Sequence, residues 1–264
     1  MTWKVALPMY NVSPRVQREY EAFLARLLTE ADVRKEVELL PAPELPAFWQ
    51  REDVLLTQTC GYPYMKSLHG ALTLLATPCF DFPGCKDSDY SSAIVTRADS
   101  GIHSLADAQG LTAAANDAHS NSGMNVLRHA VSLLARGGQF FDEVKWTGSH
   151  AASLRLVRDG EADIAAIDCV TYGYLKEEQP ESVRGTKILQ YSAQTPGLPL
   201  VASRAASEEL LTRLRNALLS PGPALQSHML ALHIKSFVHC PESDYERILR
   251  MEAVARAAGY PVLA

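Results

Sequence analysis

The densest run of chemically useful side chains is His119-Ser-Asn-Ser-Gly123. Small hydroxyl and amide residues at a helix start leave backbone N–H groups free to point at a ligand. Those amides and the helix dipole together favour an anion. Gly123 lets the backbone approach closely. Plain N-capping asks for one such side chain. This run supplies three in succession, Ser120, Asn121 and Ser122, which favours a ligand over a cap alone. His150 follows Thr147-Gly-Ser149 at a second helix start, where an imidazole N–H could donate to an anionic oxygen. Its bland alternative is a polar residue in an exposed first turn. Asp168 closes an apolar strand and could bind a ligand amine or hydroxyl, hold a neighbouring side chain, or form an Asx turn. Tyr10, Tyr62 and Tyr90 read either as ligand contacts or as part-buried packing residues. Tyr172 and Tyr174 read as packing.

Positioning these groups requires an α/β sheet with covering helices, because short apolar runs alternate with helical patterns. Strands are predicted at Trp3–Leu7, Glu36–Leu40, Asp53–Thr57, Leu72–Ala76, Ser92–Thr96, Leu111–Ala115, Val144–Thr147 and Asp163–Ile167. Ser13-Pro14 supplies an N-cap and an N1 proline. The helix that follows presents Val16, Tyr20, Phe23, Leu24, Leu27 and Leu28 on one face. Further helices are predicted at Ser122–Arg136, Ala151–Asp159, Glu208–Leu219, Ala224–Ala231 and Tyr245–Ala258. Ligands in open α/β sheets bind beyond the carboxyl ends of the strands. Five predicted strand ends carry polar or aromatic groups: Pro8–Tyr10, Gln58–Tyr64, Asn116–Gly123, Gly148–His150 and Asp168-Cys169. Their convergence on one edge is the main sign of a binding site.

Several chemistries are disfavoured. The sequence has no Gly-x-Ser-x-Gly elbow, no Walker A or dinucleotide glycine pattern, and no His-Glu-x-x-His. Asp117, His119 and Ser120 could be drawn as a triad, but no spacing supports it, so no catalytic residue is assigned. The five cysteines, Cys60, Cys79, Cys85, Cys169 and Cys240, form no Cys-x-x-Cys pair, which argues against a metal site and for reduced, mostly buried thiols. A chemical role is left open for Cys60 and Cys169. No cofactor is expected. The net charge of −5 gives no electrostatic reason for a nucleic-acid partner. No apolar run approaches the roughly 20 residues that span a bilayer, so no membrane insertion is expected. The first ten residues lack the charged start and long apolar stretch of a secretory signal. They fit a cytoplasmic protein, or a periplasmic one whose signal has been removed. A length of 264 residues suits one large domain or two lobes.

Taken in order, several segments resemble the phosphonate/phosphite-type periplasmic substrate-binding proteins, a branch of the type II periplasmic-binding-protein fold. They are Asp89-Tyr-Ser-Ser-Ala-Ile-Val-Thr-Arg97, Ser104-Leu-Ala-Asp107, Ser120-Asn-Ser-Gly123, Thr147-Gly-Ser-His150, Gly160-Glu-Ala-Asp-Ile-Ala-Ala-Ile-Asp168 and Pro196-Gly-Leu-Pro199. The resemblance implies two lobes with mixed sheets and two hinge crossings. Lobe 1 would hold residues 1–90 and 190–264, and lobe 2 residues 91–189. It implies a small oxyanion ligand held by Ser120, Asn121 and Ser122, with Tyr90 and His150 beside it. A loop at Cys60, Gly61 and Tyr62 would close the site from lobe 1, and that loop departs from the family pattern. Hinge closure would also bring in the loops of Tyr10 and Tyr62. Binders of aminoalkylphosphonates carry acidic residues where this chain has Val170 and Leu198, which points away from an ammonium-bearing ligand. An ABC-transporter permease is the implied partner. The competing reading is a cytosolic enzyme or ligand sensor on the same fold.

Overall fold

A computed structural model describes residues 2–264 of the chain. Its first helix, Pro14–Glu30, starts where local chemistry dictates. Ser13 Oγ accepts a hydrogen bond from the Val16 amide at 3.1 Å, and Pro14 occupies the first turn with its φ already fixed. The helix buries Val16, Tyr20, Phe23, Leu24, Leu27 and Leu28, the six positions expected from their spacing.

The strands in chain order begin with β1 (Trp3–Ala6), β2 (Val37–Leu39), β3 (Val54–Gln58), β4 (Leu72–Phe80) and β5 (Asp89–Tyr90). Next come β6 (Ser92–Arg97), β7 (Thr112–Ala115), β8 (Glu143–Trp146) and β9 (Ile164–Asp168). The last are β10 (Thr186–Tyr191), β11 (Thr195–Pro196), β12 (Leu200–Ser203) and β13 (Ile234–Val238).

These elements fall into two units. The first comprises Met1–Asp81, Lys86–Asp89 and Pro196–Asp244. Its sheet runs β13-β4-β12-β3-β1-β2, with β1 parallel to β2 and β3, and with β12 and β13 antiparallel to their neighbours. The second comprises Phe82–Cys85, Tyr90–Thr195 and Tyr245–Ala264. Its sheet runs β10-β6-β9-β7-β8. Here β7 is parallel to both β8 and β9, so the carboxyl ends of these three strands share one edge. Every residue of β9 is buried, as its apolar sequence requires of a strand covered on both faces.

Four stretches expected in the first lobe fall in the second unit: Phe82–Cys85, Tyr90, residues 190–195 and Tyr245–Ala264. The C-terminal segment Tyr245–Ala264 belongs to the second unit, although the sequence reading assigns residues 190–264 to the first lobe. Hydrogen bonds hold it there. Asn125 Nδ2 donates to the Ile248 carbonyl (3.1 Å), Arg128 Nη1 to the Pro261 carbonyl (2.8 Å), and the Phe140 and Phe141 amides to the Ala264 carbonyl (2.8 and 2.9 Å). The short excursion Phe82–Cys85 also joins the second unit, between stretches that belong to the first.

Candidate functional site

The five strand ends singled out by the sequence belong to two sheets, not one edge. Those after β7, β8 and β9 lie in the second unit, and those after β1 and β3 in the first.

In the second unit the chain leaves β7 and enters a π turn, Asn121–Asn125, that continues as the α-helix Val126–Val131. The helix predicted to run to Arg136 therefore ends a turn early and opens irregularly. Such π turns are rare and concentrate at functional positions. Each of the three small polar residues has a different task. Ser120 Oγ accepts from the Gly123 amide (2.9 Å), so one of them caps the turn. Asn121 Nδ2 donates to Thr195 Oγ1 (3.0 Å) and to the Tyr90 hydroxyl (3.3 Å). Ser122 Oγ sits 2.9 Å from His150 Nε2. Ser120, Asn121, Ser122, Tyr90 and Thr195 are all buried.

A second layer fixes this cluster. Asn125 Nδ2 donates to Asn121 Oδ1 (2.9 Å), while Arg128 Nη2 donates to Asn125 Oδ1 (2.6 Å). The one charge in the relay therefore polarises two amides in series toward the Asn121 amino group, which strengthens it as a donor. No carboxylate takes part in these contacts.

His150 opens the helix His150–Arg158, which Ser149 caps through the Ala152 amide (3.1 Å). The residue keeps some exposed surface, but its ring lies inside. Burial pushes its pKa from 6.5 to about 4, with only the Ala166 backbone pulling upward. A neutral imidazole has one N–H and one lone pair. Nε2 therefore either donates to Ser122 Oγ or accepts its hydroxyl proton, as the ring tautomer sets.

This burial has a measurable consequence. The unfolded chain binds a proton at His150 below about pH 6.5 while the folded chain does not until about pH 4. Stability is therefore lost on acidification across that window, by about 3 kcal/mol in full. Chemical denaturation of wild type and His150→Gln between pH 7 and pH 4 checks it. The difference in stability should shrink steadily as the pH falls, and a flat difference contradicts a buried neutral ring.

Asp168 Oδ1 accepts from the Val170 and Thr171 amides (2.8 and 3.1 Å), capping the helix Cys169–Glu178 that the sequence reading did not include. In the first unit, Tyr10 packs edge-on against Phe80 (5.4 Å between centroids) and stacks with Tyr20 (6.4 Å). Gly61 and Tyr62 are buried in a short helix, Gly61–Pro63, after β3, and Lys66 lies over the Tyr62 ring. A π turn, Tyr64–Leu68, follows. Val170 and Leu198 are both buried and apolar, in the second and first units respectively. Thr195, Asn125 and Arg128 escaped the sequence reading. Thr195 sits in a stretch for which the sequence predicts no element, and the other two are polar residues on an otherwise ordinary helix. Among the described residues, no group of three or more His, Cys, Asp or Glu could hold a metal ion, and no helix is long and apolar enough to cross a membrane.

Residues 5–245 match the family described as ABC transporter, phosphonate, periplasmic substrate-binding protein. Among solved structures, a binding protein component of an ABC phosphonate transporter from Pseudomonas aeruginosa is similar with a TM-score of 0.81 at 19% identity, over 98% of this chain and 88% of that one. A protein from Prochlorococcus marinus in complex with methylphosphonate gives 0.77 at 16% identity, over 96% and 97%. The periplasmic aliphatic sulphonate binding protein of Escherichia coli gives 0.58 at 13%, over 97% and 86%. At such identities the likeness is one of fold, the type II periplasmic-binding-protein fold.

Proposed function

We propose a function from one premise: this chain belongs to the phosphonate periplasmic substrate-binding protein family of ABC transporters. It is a solute-binding protein, whose ligand is a small molecule and whose partner is a transporter. The family match lends no support to an enzyme or a sensor on this fold. The ligand we assign is a phosphonate-class oxyanion without an ammonium group, and its binding groups are Asn121, Ser122, Tyr90, Thr195 and His150 of the second unit. The compartment that goes with this role is the periplasm, where a binding protein meets its permease.

The observation that carries this reading is the buried, uncharged donor cluster at the carboxyl ends of parallel strands. Several oriented N–H and O–H dipoles can offset the desolvation of an anion where no cation pairs with it. An ammonium group would need a carboxylate. Val170 and Leu198, where the family resemblance implies acids in binders of that specificity, offer none. Ser120, which caps the turn, serves by holding it open at its amide end.

Isothermal titration calorimetry with methylphosphonate, phosphite, phosphate, methanesulfonate and 2-aminoethylphosphonate tests the assignment. Methylphosphonate or phosphite should give the tightest saturable binding, and the aminoethyl compound should bind no better. Ser122→Ala should weaken binding about tenfold or more, as expected for a lost hydrogen bond to a charged group. Absence of saturable heat with every oxyanion, or an unchanged Kd for Ser122→Ala, refutes it.

A further inference from the structure

Five cysteines are present and all are reduced in the structure. Two of them, 84 positions apart in the chain, bring their Sγ atoms to 3.4 Å: Cys85 in the Phe82–Cys85 excursion and Cys169 at the start of the helix after β9. The contact is not incidental, because the excursion is fastened to the second unit on both sides of it. Phe82 packs edge-on against Tyr174 (4.9 Å between centroids). Its ring occupies the space beside Gly173, where a Cβ would come within 2.3 Å of it. Ser91 Oγ donates to the Gly84 carbonyl (2.8 Å), and the Cys169 amide donates to the Ser91 carbonyl (3.1 Å). Gly84 has φ +97°, and a Cβ there would lie 3.0 Å from Cys169 Cβ, so the two backbones are held in close approach. Cys169 is buried and Cys85 is half-buried, which leaves one sulfur accessible and the other waiting behind it.

We propose that Cys85 and Cys169 are a redox-active pair that forms an intrachain disulfide, clamping the backbone next to Tyr90 and Asp168. Closing the pair needs the sulfurs to move from 3.4 Å to about 2.05 Å, a change within reach of side-chain torsion. The oxidant is another disulfide, either a small molecule or a thiol–disulfide exchange protein. The Cys85 thiolate attacks one of its sulfurs, expelling the first thiol and leaving a mixed disulfide on Cys85. The Cys169 thiolate then attacks Cys85 Sγ and expels the second. Two protein thiols and one external disulfide thus become one protein disulfide and two external thiols, with electrons and protons balanced. The contact with Cys85, then burial and the neighbouring Asp168, push the Cys169 thiol well above its ordinary range, so the second step is the slow one. This pair is independent of which ligand the protein binds.

The test is thiol counting on the full chain. Wild type incubated with oxidised glutathione, then denatured and titrated, should fall by two thiols, from five to three. A non-reducing peptide map should show a single bridge joining Cys85 to Cys169. The melting temperature should rise by roughly 5–10 °C and return on adding dithiothreitol, because the bridge closes a long loop. Cys85→Ser, at the more accessible position, should give no intrachain bridge and no reversible rise. Five thiols remaining, a bridge between other cysteines or between two chains, or a lower melting temperature on oxidation overturns the proposal. The wild-type result decides it even where a Cys169→Ser chain fails to fold.

Discussion

Gly123→Ala should lower stability by about 2 kcal/mol and weaken oxyanion binding more than tenfold. The added Cβ would lie 1.8 Å from Asn116 Oδ1 and 2.9 Å from Asn116 Cγ, distances no packed pair of atoms tolerates. The Asn116 backbone is itself held, since its carbonyl accepts from the Gly148 amide at 2.9 Å. Its Oδ1 is enclosed and has no hydrogen-bond partner among the described residues. Either the asparagine side chain swings away or the π turn is pushed outward, and the second alternative moves Asn121 and Ser122. A double-mutant cycle separates the two. Asn116→Ala removes the obstructing atoms, so Gly123→Ala/Asn116→Ala should recover most of the stability and affinity. Denaturant titration and calorimetry read both quantities. A Gly123→Ala chain indistinguishable from wild type, or a double variant no better than the single, contradicts this packing.

Arg128→Met should cost about 3 kcal/mol, the largest loss expected from a single side chain in the relay. Arg128 is 4% exposed and bridges two segments that are remote in sequence. Its Nη1 satisfies the Pro261 carbonyl and its Nη2 satisfies Asn125 Oδ1. Methionine keeps much of the volume but strands both acceptors. Asn125 would then lose one of the three hydrogen bonds that fix its amide, which loosens the orientation of Asn121. Destabilisation should therefore come with weaker methylphosphonate binding at temperatures where the variant is fully folded. Loss of stability with unchanged affinity would mean that Arg128 only fastens the C-terminal segment. Urea unfolding gives the first number and calorimetry on the folded variant the second.

The sequence revealed the parts of the fold whose cause is local. In Pro14–Glu30 the cap, the N1 proline and the 3.6-residue spacing agree, and the buried face came out residue for residue. Glu208–Leu219 has the predicted limits, again behind a capping serine, Ser207. Elements set by distant partners were not legible. Cys169–Glu178 contains β-branched residues and Gly173, a poor helix-forming composition, and is held by its Asp168 cap and by burial of Tyr174 and Leu175. β4 continues past Ala76, the expected end of the strand, through Thr77-Pro78-Cys79 to Phe80. The proline is tolerated because β12 pairs with β4 only as far as Ala76, so nothing on that side needs its missing N–H.

The candidate site divides in the same way. The run Ser120–Ser122 and the helix start at His150 announce themselves by residue type. Thr195, Asn125 and Arg128 become visible only once the chain is folded, because a hydrogen bond between residues 74 positions apart leaves no periodicity in a sequence. Asp168 was legible as polar and well positioned. Its carboxylate oxygen at two helix amides is the Asx-type alternative that the sequence also allowed.

The most direct measurement is a crystal structure of the protein grown with methylphosphonate. The expected result is phosphonate oxygens about 2.6–3.2 Å from Ser122 Oγ, Thr195 Oγ1 or the Tyr90 hydroxyl, with the Asn121–Asn125–Arg128 relay intact. Methylphosphonate seated elsewhere, with no ligand atom near Ser122, Thr195 or Tyr90, would contradict the assignment.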